Sequence, residues 1–418
     1  MSGPARVAAP AEPLSRRALL RGAGTVLLAG PAACGSISRL PDPGRVPVSR
    51  QADGFASFRF NAHDRDTTLA FIDRTADART RLGLGKINAL ALSGGGASGA
   101  YGAGLLVGWT RSGQRPVFDL VTGVSTGALT APFAFLGSDW DARLEAAYTD
   151  GTVSGLLASN LPALVLPSLY SGEPLAELVA RHVDMPLLRA VAQAHARGRR
   201  LMVATTNLDT QETVIWDMGA IAHSAVTASY GDECRRLFRQ VLVASASIPG
   251  VFPPVIITPP SPASEPQEEM HVDGAVTAPF FLAPEALILW RPTSMAMQPG
   301  ELYAIVNGTV GPTYATTEGA FFAILWRSYD TMSKATTRAH LNASAAFAER
   351  NGASFRYAAI PDSLGPDSLD FRPAMLRDLF DLGVHACETG EAFRTLAEAP
   401  VMTSDDAVRP LPPAQLRR

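Results

Sequence analysis

Two glycine-bearing turns lie close together in this chain of 418 residues. The first, Ser93-Gly94-Gly95-Gly96-Ala97-Ser98-Gly99, is built to hold an anion, and the second, Gly123-Val124-Ser125-Thr126-Gly127, presents a single hydroxyl. A serine between two glycines on a sharp strand-to-helix turn is held clear of the backbone, because glycine tolerates crowded or positive-φ flanks. Successive glycines before a helix leave several backbone N–H groups unpaired. Such donors stabilise the oxyanion formed when a serine attacks an ester carbonyl. A lone G-x-S-x-G is a weak signal in a chain with 36 glycines. The adjacent anion-holding turn is what strengthens it.

Attack by a serine requires a group that takes its proton. Asp273-Gly274-Ala275 follows the short extended segment Met270-His271-Val272. A carboxylate there emerges at a strand end beside a glycine that allows close approach. At its ordinary pKa of ~3.9 an aspartate is a poor base for a hydroxyl, so burial must raise it. Taken by itself, Asp-Gly also reads as a common turn.

The elements that position these groups follow from the apolar runs. Ile87 to Leu92 and Phe118 to Val121 each precede one turn, and an apolar, helix-like stretch follows each. The order strand, turn, helix, repeated, predicts an α/β protein with a mostly parallel central sheet and both turns at one edge. Thr67 to Leu82 reads as a helix, Leu302 to Val310 as a strand, and Glu318 to Arg350 as one or two helices covering a core. The apolar segment between Gly151 and Tyr170 is either a lip that meets acyl chains or a buried loop. Ile256 to Glu269, rich in proline, serine and acid, reads as a surface excursion.

The ordered set resembles the patatin-like phospholipase family. The likeness rests on Gly94, Gly96 and Gly99, on the turn at Ser125, and on Asp273-Gly274-Ala275. Further matching blocks are Asp119 to Gly123, Ser171 to Leu175, Thr206 to Thr210 and Ala244 to Pro254, so that it spans about residues 86 to 280. The resemblance implies a three-layer α/β fold and a lipid acyl hydrolase working on membrane lipids without metal or organic cofactor. It also implies Ser125 as nucleophile, Asp273 as base, and Gly94, Gly95 and Gly96 as oxyanion donors, with Gly99, Gly123, Gly127 and Gly274 as motif glycines. Many members carry a lysine or arginine in the glycine turn where this chain has Ser98.

The beginning of the chain points to export. Ser15-Arg16-Arg17-Ala18-Leu19-Leu20-Arg21 matches a twin-arginine signal, and the apolar core Gly22 to Gly30 is too short to span a bilayer. Pro31-Ala32-Ala33-Cys34 resembles a lipoprotein cleavage site, with Cys34 as the lipidated first residue of a membrane-anchored protein facing the periplasm. Ordinary cleavage nearby would leave it secreted. The expected organisation is an export signal at 1–33, an extension at 34–85, a catalytic domain at 86–397 and a loose tail at 398–418. Cys234 and Cys387 would then be left, and an exported protein permits a disulfide between them.

Composition fits a large globular domain, 47% apolar with a formal charge of −3. Nucleic-acid binding would need a basic stripe that is absent from the sequence. Three rival readings remain. An α/β-hydrolase triad in the order serine, acid, histidine would use Asp273 with His340 or His385. Dinucleotide binding expects an acid at the end of the second strand, whereas Asp119 lies at its start. The third is a catalytically silent, membrane-tethered lipid-binding protein. His271, two residues before Asp273, is read as structural.

Overall fold

The computed structural model describes residues 57–156, 168–258, 268–285 and 297–398. The expected export signal, Cys34, residues 157–167 of the apolar segment, and the tail beyond residue 398 lie outside the described residues.

In chain order the elements are β1 (Arg59–Asn61), α1 (Arg65–Arg81), β2 (Ile87–Leu92), α2 (Gly99–Arg111), β3 (Leu120–Gly123), α3 (Thr126–Leu136) and α4 (Asp141–Thr149). Then come α5 (Glu173–His182), α6 (Met185–Ala196), β4 (Arg200–Asn207), β5 (Glu212–Asp217), α7 (Met218–Thr227), α8 (Gly231–Ser245), β6 (Val255–Ile257) and β7 (Glu269–Asp273). The chain continues through β8 (Pro299–Val306), α9 (Phe321–Arg350), β9 (Ser354–Ala359) and α10 (Pro373–Glu388).

The strands form one sheet in the order β1-β5-β4-β3-β2-β8-β9. From β4 through β3, β2 and β8 to β9 every neighbouring pair is parallel, and β5 and β1 close one side antiparallel. The expected α/β architecture with a mostly parallel central sheet is therefore the one observed. Parallel strands are buried on both faces and so read as nearly continuous apolar runs. In β2, Leu90 and Leu92 enter one core with Ile305, while Ala89 and Ala91 enter a second with Leu302 and Ala304. Helices α2, α3 and α10 cover the first core, and Leu341 and Ala348 of α9 cover the second. These are the three layers.

β1 and α1, within the expected extension, join this same architecture. Asp64 caps α1 by accepting from the N–H groups of Asp66 and Thr67. At its other end buried Arg79 meets Asp119 at 3.1 Å. The expected strand from Leu302 to Val310 ends earlier, at Val306, because Asn307 turns inward to hold the first glycine turn. The Ile256 to Glu269 excursion is narrower than expected, since Ile256 and Ile257 pair with Met270 and Glu269 as β6 and β7. Glu318 to Arg350 holds a single helix of 30 residues. Cys234 and Cys387 are both free and buried, and no disulfide joins them.

A strand exchange positions the site. β3 pairs with β4 over Arg200 to Val203 and then stops at Gly123. β7 takes over the vacated edge of β4, with Asp273 opposite Thr205. The turn leaving β3 and the end of β7 are thus brought face to face.

Candidate active site

Ser125 sits between β3 and α3 with φ 57° and ψ −129°. Only one other non-glycine residue among those described, Gln211, has positive φ. For an L-residue this conformation is strained and persists only where the surroundings enforce it. Here the Ser125 N–H donates to Ser245 Oγ at 3.0 Å, and Ser245 Oγ donates to the Ala204 carbonyl at 2.7 Å. On the helix side, Tyr148 OH lies 2.9 Å from both Thr126 Oγ1 and Thr130 Oγ1. Ser245 falls in the Ala244 to Pro254 block, but nothing in the sequence marks it as the brace of this turn.

The first glycine turn lies directly against the second. A methyl group placed on Gly94 would stand 3.1 Å from Ser125 Cβ. Asn307 pins the turn by donating its N–H to Ser93 Oγ and its side-chain amide to the Ser93 carbonyl, both at 2.8 Å. Gly96 has φ 55°, and a Cβ on Gly95 would fall 1.9 Å from the Asn307 carbonyl oxygen, so both positions require glycine. The three expected donors are not equivalent. Gly94 N–H already donates to the Pro279 carbonyl at 3.0 Å. No backbone hydrogen bond from the N–H groups of Gly95 or Gly96 is found among the described residues. Gly99 begins α2, Gly127 is the second residue of α3, Gly123 ends β3, and Gly274 follows Asp273.

Asp273 is fully buried and tightly placed. Its Oδ1 accepts from Ala275 N–H at 2.8 Å, its N–H donates to Ser247 O at 3.0 Å, and its carbonyl accepts from Thr206 Oγ1 at 3.0 Å. Oδ2 has no hydrogen-bond partner of ordinary geometry among the described residues. Burial pushes the carboxyl up to about 7, against the smaller opposing pull of the nearby Ser125 hydroxyl and the Ala275 N–H. That is the range in which a carboxylate can act as a base at neutral pH.

None of the three histidines singled out in the sequence lines the cavities at Ser125. His271 Nδ1 meets Thr205 Oγ1 at 2.9 Å and Nε2 meets Glu269 Oε2 at 3.0 Å, while Glu269 is paired with Arg59 at 2.6 Å. Burial raises Glu269, but the hydrogen bonds from Arg59 and His271 outweigh it and leave the acid at about 2. His340 Nδ1 lies 3.0 Å from the Phe280 carbonyl in a separate cavity. His385 is exposed on α10.

Two cavities meet at Ser125. One is a narrow apolar slot of about 70 Å³, with Leu129, Phe133, Leu156, Leu178, Val179 and Phe252 in its walls. His182 also lines it, and burial lowers that imidazole's pKa, which favours its neutral form in apolar surroundings. The other is a wide cleft of about 670 Å³ that holds Gly94, Gly95, Gly96, Asp273 and Asn307. Sequence reasoning missed His182 and the contribution of α9 to the cleft, since both depend on long-range packing.

The patatin-like phospholipase family model matches residues 90–284. Those residues form a patatin-like phospholipase domain. The patatin-like segment contains both turns and the Asp273 strand, and its family supports lipid acyl hydrolase chemistry. Comparison with curated proteins finds no match. Among solved structures, the chain is similar to VipD from Legionella pneumophila at 12% identity. That alignment covers 73% of this chain and 67% of that one, with a TM-score of 0.30.

Proposed function

We propose that this protein hydrolyses carboxylic esters of membrane lipids with a Ser125–Asp273 dyad. In this mechanism the Asp273 carboxylate takes the proton from Ser125 Oγ as Oγ bonds to the acyl carbon. The carbonyl electrons move to oxygen, where the N–H groups of Gly95 and Gly96 meet the charge. The ester C–O bond then breaks, and Asp273 returns the proton to the departing alcohol. Water then adds to the acyl carbon as Asp273 takes its proton, the bond to Ser125 Oγ breaks, and Asp273 returns the proton to Oγ as the fatty acid leaves. Export and lipid anchoring at Cys34 would place this chemistry at a membrane.

The observation that carries the proposal is the position of Ser125 where an apolar slot meets a wide cleft lined by both polar and apolar groups. The first can take the start of an acyl chain and the second is wide enough for the polar part of the lipid. The test is fatty-acid release from phospholipid vesicles and from a butyryl ester by the mature protein. Release from both is expected, and purified protein inactive on every ester would contradict the reading.

Three further results are expected. His340→Ala and His385→Ala should each retain activity within about twofold, because neither touches the reacting groups. A tenfold or larger loss in either, in a stably folded protein, would favour a triad. Val179→Phe should fill part of the slot and lower kcat/KM for a palmitoyl ester about tenfold more than for a butyryl ester. Equal losses would place the acyl chain elsewhere. Finally, kcat/KM should rise about tenfold per pH unit below pH 7 and level above it, as Asp273 loses its proton near pH 7. A flat profile from pH 5 to 8 would exclude a base with that pKa.

A further inference from the structure

Helix α9 lies outside the segment matched by the family model, yet its first half forms a wall of the cleft at Ser125. Trp326, Arg327, Tyr329, Asp330, Ser333 and Lys334 all line that cleft, at spacings that return to one helix face. The sequence gives no sign that these residues approach the serine, because the helix follows Asp273 by nearly fifty residues.

Two of these residues are cations that share one carboxylate. Lys334 Nζ donates to Asp330 Oδ2 at 3.0 Å and to Thr313 Oγ1 at 2.8 Å. Arg327 pairs with the same Asp330 oxygen at 3.5 Å and donates to the Thr313 carbonyl. The cluster therefore carries one surplus positive charge. An ammonium has three N–H donors and a guanidinium five, so donors remain on both for a further acceptor. Their side chains are only 16% and 33% exposed, which limits screening by water. Glu318 and Asp367, the other carboxylates at the cleft apart from Asp273, stand exposed to solvent.

We propose that Arg327 and Lys334 bind the phosphodiester of a phospholipid headgroup while the acyl carbonyl lies at Ser125. Ser98 leaves the glycine turn without a basic side chain, and α9 supplies the charge from the opposite wall. Bidentate donation by Arg327 and a point charge from Lys334 suit a phosphodiester monoanion. An uncharged diacylglycerol gains nothing from either. This proposal rests on the hydrolase reading and adds to it the class of lipid preferred.

The test compares turnover of dioleoyl phosphatidylglycerol with that of dioleoylglycerol, each in micelles of a neutral detergent, for wild type, Lys334→Met, Arg327→Gln and Asp330→Asn. Hydrogen bonds to a charged group predict that each cation variant lowers the phospholipid-to-diacylglycerol ratio of kcat/KM about tenfold. Asp330→Asn, which removes the shared counter-charge, should keep or raise the ratio. A merely structural role would lower both activities together in all three variants, and that result, or an unchanged ratio, overturns the proposal. Millimolar inorganic phosphate should leave diacylglycerol turnover intact. Strong inhibition there would reveal a site for free phosphate and overturn the assignment to a lipid headgroup. A wild type inactive on both lipids would remove the hydrolase reading itself, which separates that failure from a failure of headgroup recognition alone.

Discussion

Ser125→Ala is expected to lower ester hydrolysis by about 10⁴-fold or more while leaving the protein folded, since it removes the hydroxyl that the proposed mechanism acylates. The strained backbone gives this experiment an internal control. Ser125 holds φ 57°, a conformation that glycine adopts without the cost an L-side chain carries. Ser125→Gly should therefore be as inactive as Ser125→Ala but more stable by about 1 kcal/mol. Thermal unfolding of the two variants beside wild type measures the difference. If alanine and glycine give the same Tm, the surroundings do not hold this residue under strain. If the alanine variant keeps its activity, Ser125 is not the nucleophile.

The second large effect joins activity to stability at Asp273. Asp273→Asn should lower hydrolysis by about 10⁴-fold or more, since removing the general base of a serine hydrolase costs at least that much. The same change should stabilise the fold at alkaline pH. The carboxyl titrates near 7 in the folded protein against 3.8 ordinarily. Between those values the folded state holds the proton more tightly than the unfolded chain, so wild-type stability falls as pH rises. Below pH 3.8 the carboxyl is protonated in both states and the penalty vanishes, and above pH 7 it is complete. A shift of ~3 units corresponds to a penalty on the order of 4 kcal/mol, which the amide lacks. The variant should melt about 5 °C or more above wild type at pH 8, with a gap that narrows steadily toward pH 4. A variant less stable than wild type at pH 8 would show that the carboxylate is better accommodated than its burial implies.

Much of this site is legible in the sequence because its parts are local. The glycines flanking Ser125 announce the strained turn, and β-branched and leucine-rich runs announce the parallel strands beneath it. Asp273 is harder, since its approach to Ser125 depends on β7 replacing β3 along the edge of β4. Sequence order alone brings the aspartate into view only together with both turns. Which of the N–H groups of Gly94, Gly95 and Gly96 stay unpaired is not legible at all. It is decided by the Pro279 carbonyl, which occupies the first N–H, and by Asn307, which fixes the turn. The slot is hidden for the same reason. Its walls come from α3, α5, α8 and the segment around Phe252, each apolar in a way that fits any buried helix. Helix α9 reads as core cover, which Leu341 and Ala348 confirm for its second half. Its first half instead exposes Phe321, Ile324 and Leu325 and lines the cleft.

The measurement that tests the central claim most directly is covalent labelling of the mature protein with a long-chain fluorophosphonate, followed by peptide mass mapping. The account predicts one phosphonyl adduct per chain, on Ser125, formed faster as pH rises through 7 and absent from Ser125→Ala. An adduct on another residue that accompanies loss of hydrolysis, or full hydrolysis by protein labelled at Ser125, would contradict it.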